Sequence, residues 1–123
     1  MVQGINARGD YVGGWDTGIT ATTGHGFLFT KGHFISFDVP FAGATLTQGN
    51  DINARGSIVG LWVDSSRLIH GFLAEGAKFT SSDYPGAAIT SAWGINSAGQ
   101  IVGNHFDTVD SLQRGYVAQP SRK

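Results

Sequence analysis

The stretch Gly4–Asp16, with the sequence GINARGDYVGGWD, decides how this chain folds, because the chain contains it three times. The second copy is Asp51–Asp64 (DINARGSIVGLWVD) and the third is Gly94–Asp107 (GINSAGQIVGNHFD). All three copies carry an asparagine, which recurs at intervals of 47 and 43 residues: Asn6, Asn53 and Asn96. A period of this length indicates one supersecondary unit copied along the chain.

The repeat predicts several strands in each unit, and we place the units of this single domain roughly at residues 1–43, 44–86 and 87–123. The motif Asn-x-x-Gly after the first strand is typical of a type I turn. Asn can bond the backbone two residues on, and Gly tolerates a positive φ. The second strand, such as Ile58–Trp62, has the β-branched and aromatic residues that strands prefer. The third strand is predicted at a shorter echo in each copy: His25–Phe29, His70–Ala74 and Arg114–Ala118.

Fourth strands are predicted at His33–Val39 and Lys78–Tyr84, each followed by a proline that has no N–H for the ladder. The first copy has only Met1–Gln3 before its motif, so most of its first strand is missing. The third copy reaches Gln119–Lys123 without a fourth strand. No apolar period of about 3.6 residues persists. We therefore predict an all-β chain of roughly eleven strands, or about 2.75 four-stranded, blade-like units.

The composition excludes several classes of partner. The net charge is −1 with no run of basic residues, so binding to nucleic acid by phosphate neutralisation is not expected. No apolar run approaches the ~18 residues of a membrane span, and no signal peptide is recognisable. The absence of cysteine excludes disulfides, thiol catalysis and thiolate metal sites. We expect no nucleic-acid partner, no membrane partner and no cofactor.

The combined pattern is G-I-N-x-x-G-x-x-V-G, then H-x-F-L, then F-x-x-x-D-V-P. It is carried by Gly4–Gly13, His25–Leu28 and Phe34–Pro40 and by their later copies. These residues resemble the bacterial HAF or probable extracellular repeat family over nearly the whole chain. Gly26 and Gly71 stand where that family has the Ala of H-A-F. The resemblance implies four-stranded propeller blades in secreted proteins, and hence an extracellular or periplasmic location, but it supplies no catalytic residues.

Four-stranded units of about 45 residues also indicate a β-propeller on physical grounds. Propellers typically have about four to eight blades, and fewer than three units would leave open edges that invite pairing with another chain. We therefore expect identical chains to form a homo-oligomeric ring, in which two chains give about five to six blades. A β-trefoil or β-prism is the alternative, because either closes with three four-stranded repeats in one chain. The missing QxW-type motif counts against the trefoil.

Five residues are candidate ligand contacts. Three of them share one position of the repeat: Trp15, Trp62 and His105. Their rings could stack on sugar faces or pack between blades. Trp93 and Asn50 share a position just before the turn, where an innermost first strand would place them beside a central channel. There they could bind a small polar ligand or line a hydrated channel.

The histidines and aspartates favour structural roles. His25, His70 and Arg114 share one position, and because Arg does not ligate metals, we expect either cross-strand pairs or stacked side-chain stems, and no metal site. Asp38 and Asp83 precede prolines, where turn capping is expected. With a single glutamate and no nucleophile motif, no catalytic residue is predicted.

The sequence therefore favours a non-catalytic binding module, lectin-like and carbohydrate-binding in its most specific form, that acts as a homo-oligomeric propeller. Two alternatives stay open: a structural or assembly module of an extracellular protein, and an enzyme whose active site forms between subunits. The expected partners are further copies of the chain and a glycan or small polar ligand.

Overall fold

The computed structural model describes residues 1–16 and 23–119, which form eleven strands and no helix. The prediction of an all-β chain with about eleven strands is confirmed. Within the described part, no helix is long and apolar enough to cross a membrane. The strands, in chain order, are β1 Val2–Ile5, β2 Tyr11–Trp15, β3 His25–Thr30, β4 His33–Phe37, β5 Leu46–Ile52, β6 Ile58–Val63, β7 Ile69–Glu75, β8 Lys78–Ser82, β9 Ala87–Ile95, β10 Ile101–Asp107 and β11 Leu112–Ala118.

The strands form three consecutive antiparallel meanders, each corresponding to one unit of the sequence repeat. The first meander is a four-stranded sheet in the order β1-β2-β3-β4. The other two meanders make up a seven-stranded sheet, in which β5 to β8 and β9 to β11 are joined by one parallel pair, Ile69 with Ile89. The corresponding residues of the first two units, Gly24 and Leu46, form an isolated parallel bridge. Both junctions between units are therefore built in the same way.

The fourth strands end two residues earlier than predicted. β4 ends at Phe37 and β8 at Ser82, because the backbone then leaves the sheet to contact the next unit. The backbone N–H of Val39 donates to Oγ1 of Thr47, at 3.1 Å, and that of Tyr84 donates to Oγ1 of Thr90, at 3.0 Å. Both threonines are buried, so these bonds fix the exit from one unit against the first strand of the next.

The predicted Asn-x-x-Gly turns are confirmed in all three units. In the second unit, Gly56 N–H donates to Asn53 O at 3.1 Å, and Gly56 has a φ of 85°. The Asn53 side-chain oxygen accepts from the N–H groups of Arg55 and Ser57, at 3.0 and 2.9 Å. Equivalent bonds are made at the other two asparagines, Asn6 and Asn96. The repeated asparagine therefore holds the turn by its side chain.

The glycine in the middle of each second strand lies under a neighbouring backbone. A Cβ on Gly60 would stand 1.9 Å from the carbonyl oxygen of Gln48 and 2.7 Å from the ring of Phe72. Gly13 is equally crowded by the carbonyl oxygen of Met1 and the Phe27 ring, and Gly103 by the carbonyl oxygen of Ser91 and the Tyr116 ring. This glycine therefore leaves room for a ring of the third strand.

The main apolar core lies between the first and second units. Its largest fully buried member, Phe72, lies together with Val12, Ile52 and Ile58, and Phe37 packs against the cluster from the first unit. The units therefore bury their apolar side chains mainly against each other, as expected for stacked repeats.

Candidate functional site

A ladder of asparagine side chains links the three units at their turns. The Asn6 amide Nδ2 donates to the backbone oxygen of Asn53 at 3.0 Å, and Asn53 Nδ2 donates to that of Asn96 at 3.0 Å. Asn96 has no following turn among the described residues, and its Nδ2 donates to Oε1 of Gln100 instead, at 2.7 Å. The ladder therefore ends in the third unit with the Asn96 amide, a donor, and in the first unit with the backbone oxygen of Asn6, an acceptor.

The apolar side chains of the second strand show where units are covered. Val12, Val59 and Val102 occupy the same position in the three copies. Val12 and Val59 are 0% exposed, since the following unit packs on them, whereas Val102 is 49% exposed. The third unit therefore carries an uncovered copy of the face that the first two units bury.

The opposite face of the repeat is uncovered on the first unit. Ile52 is 3% exposed and belongs to the same apolar cluster as Val12 of the preceding unit. Ile5, which holds the same position in the first unit, is 65% exposed. We name the uncovered surface around Val2 and Ile5 the leading face, and the one around Trp93 and Val102 the trailing face.

The predicted ligand residue Asn50 connects two units. It is buried, its Nδ2 donates to the backbone oxygen of Ala92 at 2.9 Å, and its Oδ1 accepts from Gln48. Trp93 shares the position of Asn50, no further unit follows it among the described residues, and 43% of it is exposed on the trailing face. The structure therefore places one of this pair in a junction and the other at an open end.

The three ring residues of the second strand have different surroundings. Trp62 is buried, lies 4.2 Å from the His70 ring and 5.0 Å from the Phe41 ring, and donates Nε1 to Ser81 Oγ at 3.0 Å. Trp15 repeats this arrangement with His25 and Ser36, but it is 38% exposed. The serine partners on the fourth strand were not predicted, although Ser36 and Ser81 share one position of the repeat.

His105, the third member of this set, is buried against a different ring. It stacks on Tyr84 with ring centroids 3.6 Å apart and planes within 4°. Its Nδ1 is buried and has no hydrogen-bond partner within the described chain. In the first two units the corresponding indole nitrogen bonds a fourth-strand serine, and the described residues of the third unit contain no fourth strand.

The histidine of the third strand is bracketed by carboxylates. His70 Nδ1 lies 2.6 Å from Asp83 Oδ1, and its Nε2 lies 2.9 Å from Asp64 Oδ2. Burial by itself lowers the pKa of His70, but the bonds to Asp64 and Asp83 outweigh it and raise the pKa above its ordinary 6.5. The bond with His70 in turn lowers the pKa of Asp64. This cluster favours a fixed imidazolium ion. Both expected features occur here, since His70 pairs with the aspartates that follow β6 and β8 and its ring stacks on Trp62.

The carboxylates before the prolines have a different role from the expected one. Asp83 bonds His70, and Asp38 Oδ1 lies 2.7 Å from His25 Nδ1, so both aspartates bind the histidine of the third strand instead of capping a turn. In the third unit Arg114 replaces the histidine and bonds Asp110 at 2.6 Å. The hydrogen bond from Arg114 lowers the pKa of Asp110.

The histidine or arginine of the third strand thus forms ion pairs with aspartates of its own unit. Within residues 1–16 and 23–119, no three His, Asp or Glu side chains are grouped so that they could hold a metal ion.

No family model matches this chain, and no curated protein or solved structure is significantly similar to it. The resemblance to the HAF repeats therefore stays a prediction, and function has to be argued from the geometry alone.

Proposed function

We propose that this chain is a non-catalytic assembly module whose leading and trailing faces bind each other between copies. The proposal rests on one observation: Val102 is 49% exposed where Val12 and Val59 of the same repeat are 0% exposed. Each chain carries both halves of a contact that it already makes twice internally. Two copies joined head to tail would make a propeller-like ring of six units, within the range of about four to eight blades that propellers use.

The apolar side chains of the two faces supply a driving force. Ile5 and Val102 correspond to Ile52 and Val12, which lie in one apolar cluster at the internal junction. Full burial of such a side chain contributes about 1.5–3 kcal/mol, and roughly half of that area is still to be buried on Val102. Trp93 adds a large aromatic surface to the trailing face.

The asparagine ladder supplies the register. Asn53 O and Asn96 O each accept two bonds, one from the turn glycine and one from the preceding asparagine amide. Asn6 O accepts from Gly9 N–H and, among the described residues, from no asparagine amide. In the proposed ring, Asn96 Nδ2 of one copy leaves Gln100 and donates to Asn6 O of the next.

Light scattering of the wild-type chain and of two valine variants tests this proposal. We expect a wild-type mass of twice the 13.0 kDa of the chain, and a mass of 13.0 kDa for Val102→Asp, which places a charge on the trailing face. The control is Val109→Asp, because Val109 is 92% exposed in the described chain and lies outside both faces. A wild-type mass of 13.0 kDa at millimolar concentration would contradict the proposal and favour a self-contained trefoil or prism.

A second candidate function, saccharide binding, is favoured by the surroundings of Trp15. This indole is 38% exposed and borders an open groove of about 350 Å³ that Asp16 and Gln48 also line. An aromatic face beside polar side chains suits a sugar ring. A glycan array probed with wild type and Trp15→Ala is the test: binding that Trp15→Ala abolishes would support this function, and an array with no signal would reject it.

A further inference from the structure

The outer edge of β11 is the second open feature of the third unit, and it is separate from the two association faces. We propose that this edge binds an extended peptide segment, which completes the third unit as β4 and β8 complete the first two. The segment carries an aromatic residue and a serine two positions apart, and it lies antiparallel to β11. This inference does not depend on the ring.

The first reason is the exposure of the β11 backbone. In the described chain β11 pairs with β10 alone, whereas β3 and β7 each have a fourth strand on the other side. The glycine shared by these three strands is buried in the first two units, as Gly26 and Gly71, and exposed in the third, as Gly115. An open edge of this kind presents unpaired N–H and C=O groups, and proteins use such edges to bind extended peptides.

The second reason is the unpaired imidazole of His105. Its Nδ1 is buried without a hydrogen-bond partner in the described chain, although buried polar atoms are almost always bonded. The residues at the same position, Trp15 and Trp62, donate their ring nitrogen to a serine hydroxyl of the fourth strand. A serine hydroxyl can donate or accept, so it suits either tautomer of His105.

The third reason is a groove where an aromatic ring is missing. In the second unit, Phe79 of the fourth strand lies 6.2 Å from Phe72, and Phe37 of the preceding unit lies 6.2 Å from both. At the next junction Ser82 stands in place of Phe37 and Tyr116 in place of Phe72, with no counterpart of Phe79 in the described chain. A groove of about 220 Å³ opens there between Ser82–Pro85 and Tyr116–Ala118.

The register of the internal fourth strands specifies the ligand. In the second unit Phe79 pairs with Ala74 and Ser81 with Phe72. The corresponding partners on β11 are Ala118 and Tyr116. A bound segment of the type Phe-x-Ser would therefore place its phenyl ring at the groove and its hydroxyl near His105. The chain's own β4 and β8 contain this pattern, as Phe34-Ile-Ser36 and Phe79-Thr-Ser81.

A fluorescent peptide with the sequence of residues 76–84 tests the proposal by anisotropy titration against the whole chain. We expect saturable binding with one peptide per chain, and the same affinity for wild type and for Val102→Asp, since the trailing face is not involved. Ser81→Ala in the peptide should weaken binding about tenfold, the usual effect of one buried hydrogen bond. Phe79→Ala should weaken it at least as much. Asp83→Asn should change little, because Arg114 already bonds Asp110.

His105→Phe in the protein provides the decisive control. If the peptide serine bonds His105, the His105→Phe variant binds the unchanged peptide and the Ser81→Ala peptide equally well. In the wild-type chain, binding of the unchanged peptide then shifts the NMR signal of the His105 ring nitrogens. The proposal is overturned if a scrambled peptide binds equally well or if nothing binds. It is equally overturned if the tenfold difference persists in His105→Phe, or if a second copy of the chain occupies this edge.

Discussion

The second and third units share the run Ile-Val-Gly in their second strand, yet they differ sharply in burial. Val59 of the second unit is 0% exposed and Val102 of the third is 49% exposed. Within the described chain, the second unit has neighbours on both sides and a fourth strand, while the third has one neighbour and no fourth strand. Burial in this molecule therefore depends on what stands beside a unit more than on the unit's own sequence.

The largest loss of stability should come from adding a Cβ at the crowded glycine of a second strand. We expect Gly60→Ala to lower the free energy of unfolding by about 3 kcal/mol, because the new Cβ meets the backbone oxygen of Gln48 at 1.9 Å. Gly115→Ala is the control, since its Cβ meets nothing closer than 3.7 Å and its φ is not positive. Urea denaturation measures both, and equal losses would show that the crowding at Gly60 is relieved by a backbone shift.

A smaller loss of stability is expected from truncating Val59, and it should exceed the loss at Val102. Val59→Ala removes buried methyl groups and should cost about 2 kcal/mol of unfolding free energy. Val102→Ala, measured at a concentration where the chain is dissociated, should cost less than about 1 kcal/mol, because this side chain is half exposed. A loss at Val102 as large as that at Val59 would mean that the trailing face is covered within the single chain.

The serines of the fourth strands offer a third comparison. Ser81→Ala leaves Nε1 of the buried Trp62 without its partner and should cost about 1.5 kcal/mol. Ser36→Ala should cost less than about 0.5 kcal/mol, because Trp15 is 38% exposed and water can replace the hydroxyl. Thermal unfolding measures the loss of stability in each variant. A larger loss in Ser36→Ala than in Ser81→Ala would show that burial of the indole does not determine the cost.

The weakest effect is a pH dependence from His70. Its pKa is raised in the folded chain, so its contribution to stability is full below pH 6.5 and is lost as the pH rises through the folded value. The melting temperature should therefore fall as the pH rises above about 6.5, and the fall should be smaller in His70→Gln. Identical profiles for the two proteins would show that the bonds to Asp64 and Asp83 do not persist in solution.

The regular part of the fold was predictable because it depends on short-range chemistry. The Asn-x-x-Gly turns, the second strands and the all-β class follow from local residue preferences repeated three times. Strand ends were less accurate, since β4 and β8 end where backbone N–H groups bond Thr47 and Thr90 of the next unit. Those bonds depend on how units stack, which local sequence does not encode.

The candidate sites were predictable only as equivalent positions. Trp15, Trp62 and His105 align in the sequence, but their surroundings differ because only the first two have a serine-bearing fourth strand in the described chain. Asn50 and Trp93 align in the same way, and one is covered by the next unit while the other is not. The difference arises from position along the array. The ligand role of all five residues stays a prediction.

Mass measurement on a mixture of two charged variants tests the central claim, that the leading face of one copy binds the trailing face of another. Ile5→Asp damages only the leading face and Val102→Asp only the trailing face, so each variant alone should have a mass of 13.0 kDa. An equimolar mixture has one intact pair of faces and should show a species of twice that mass. A mixture that stays at 13.0 kDa, or a single variant that still forms a dimer, would contradict the account.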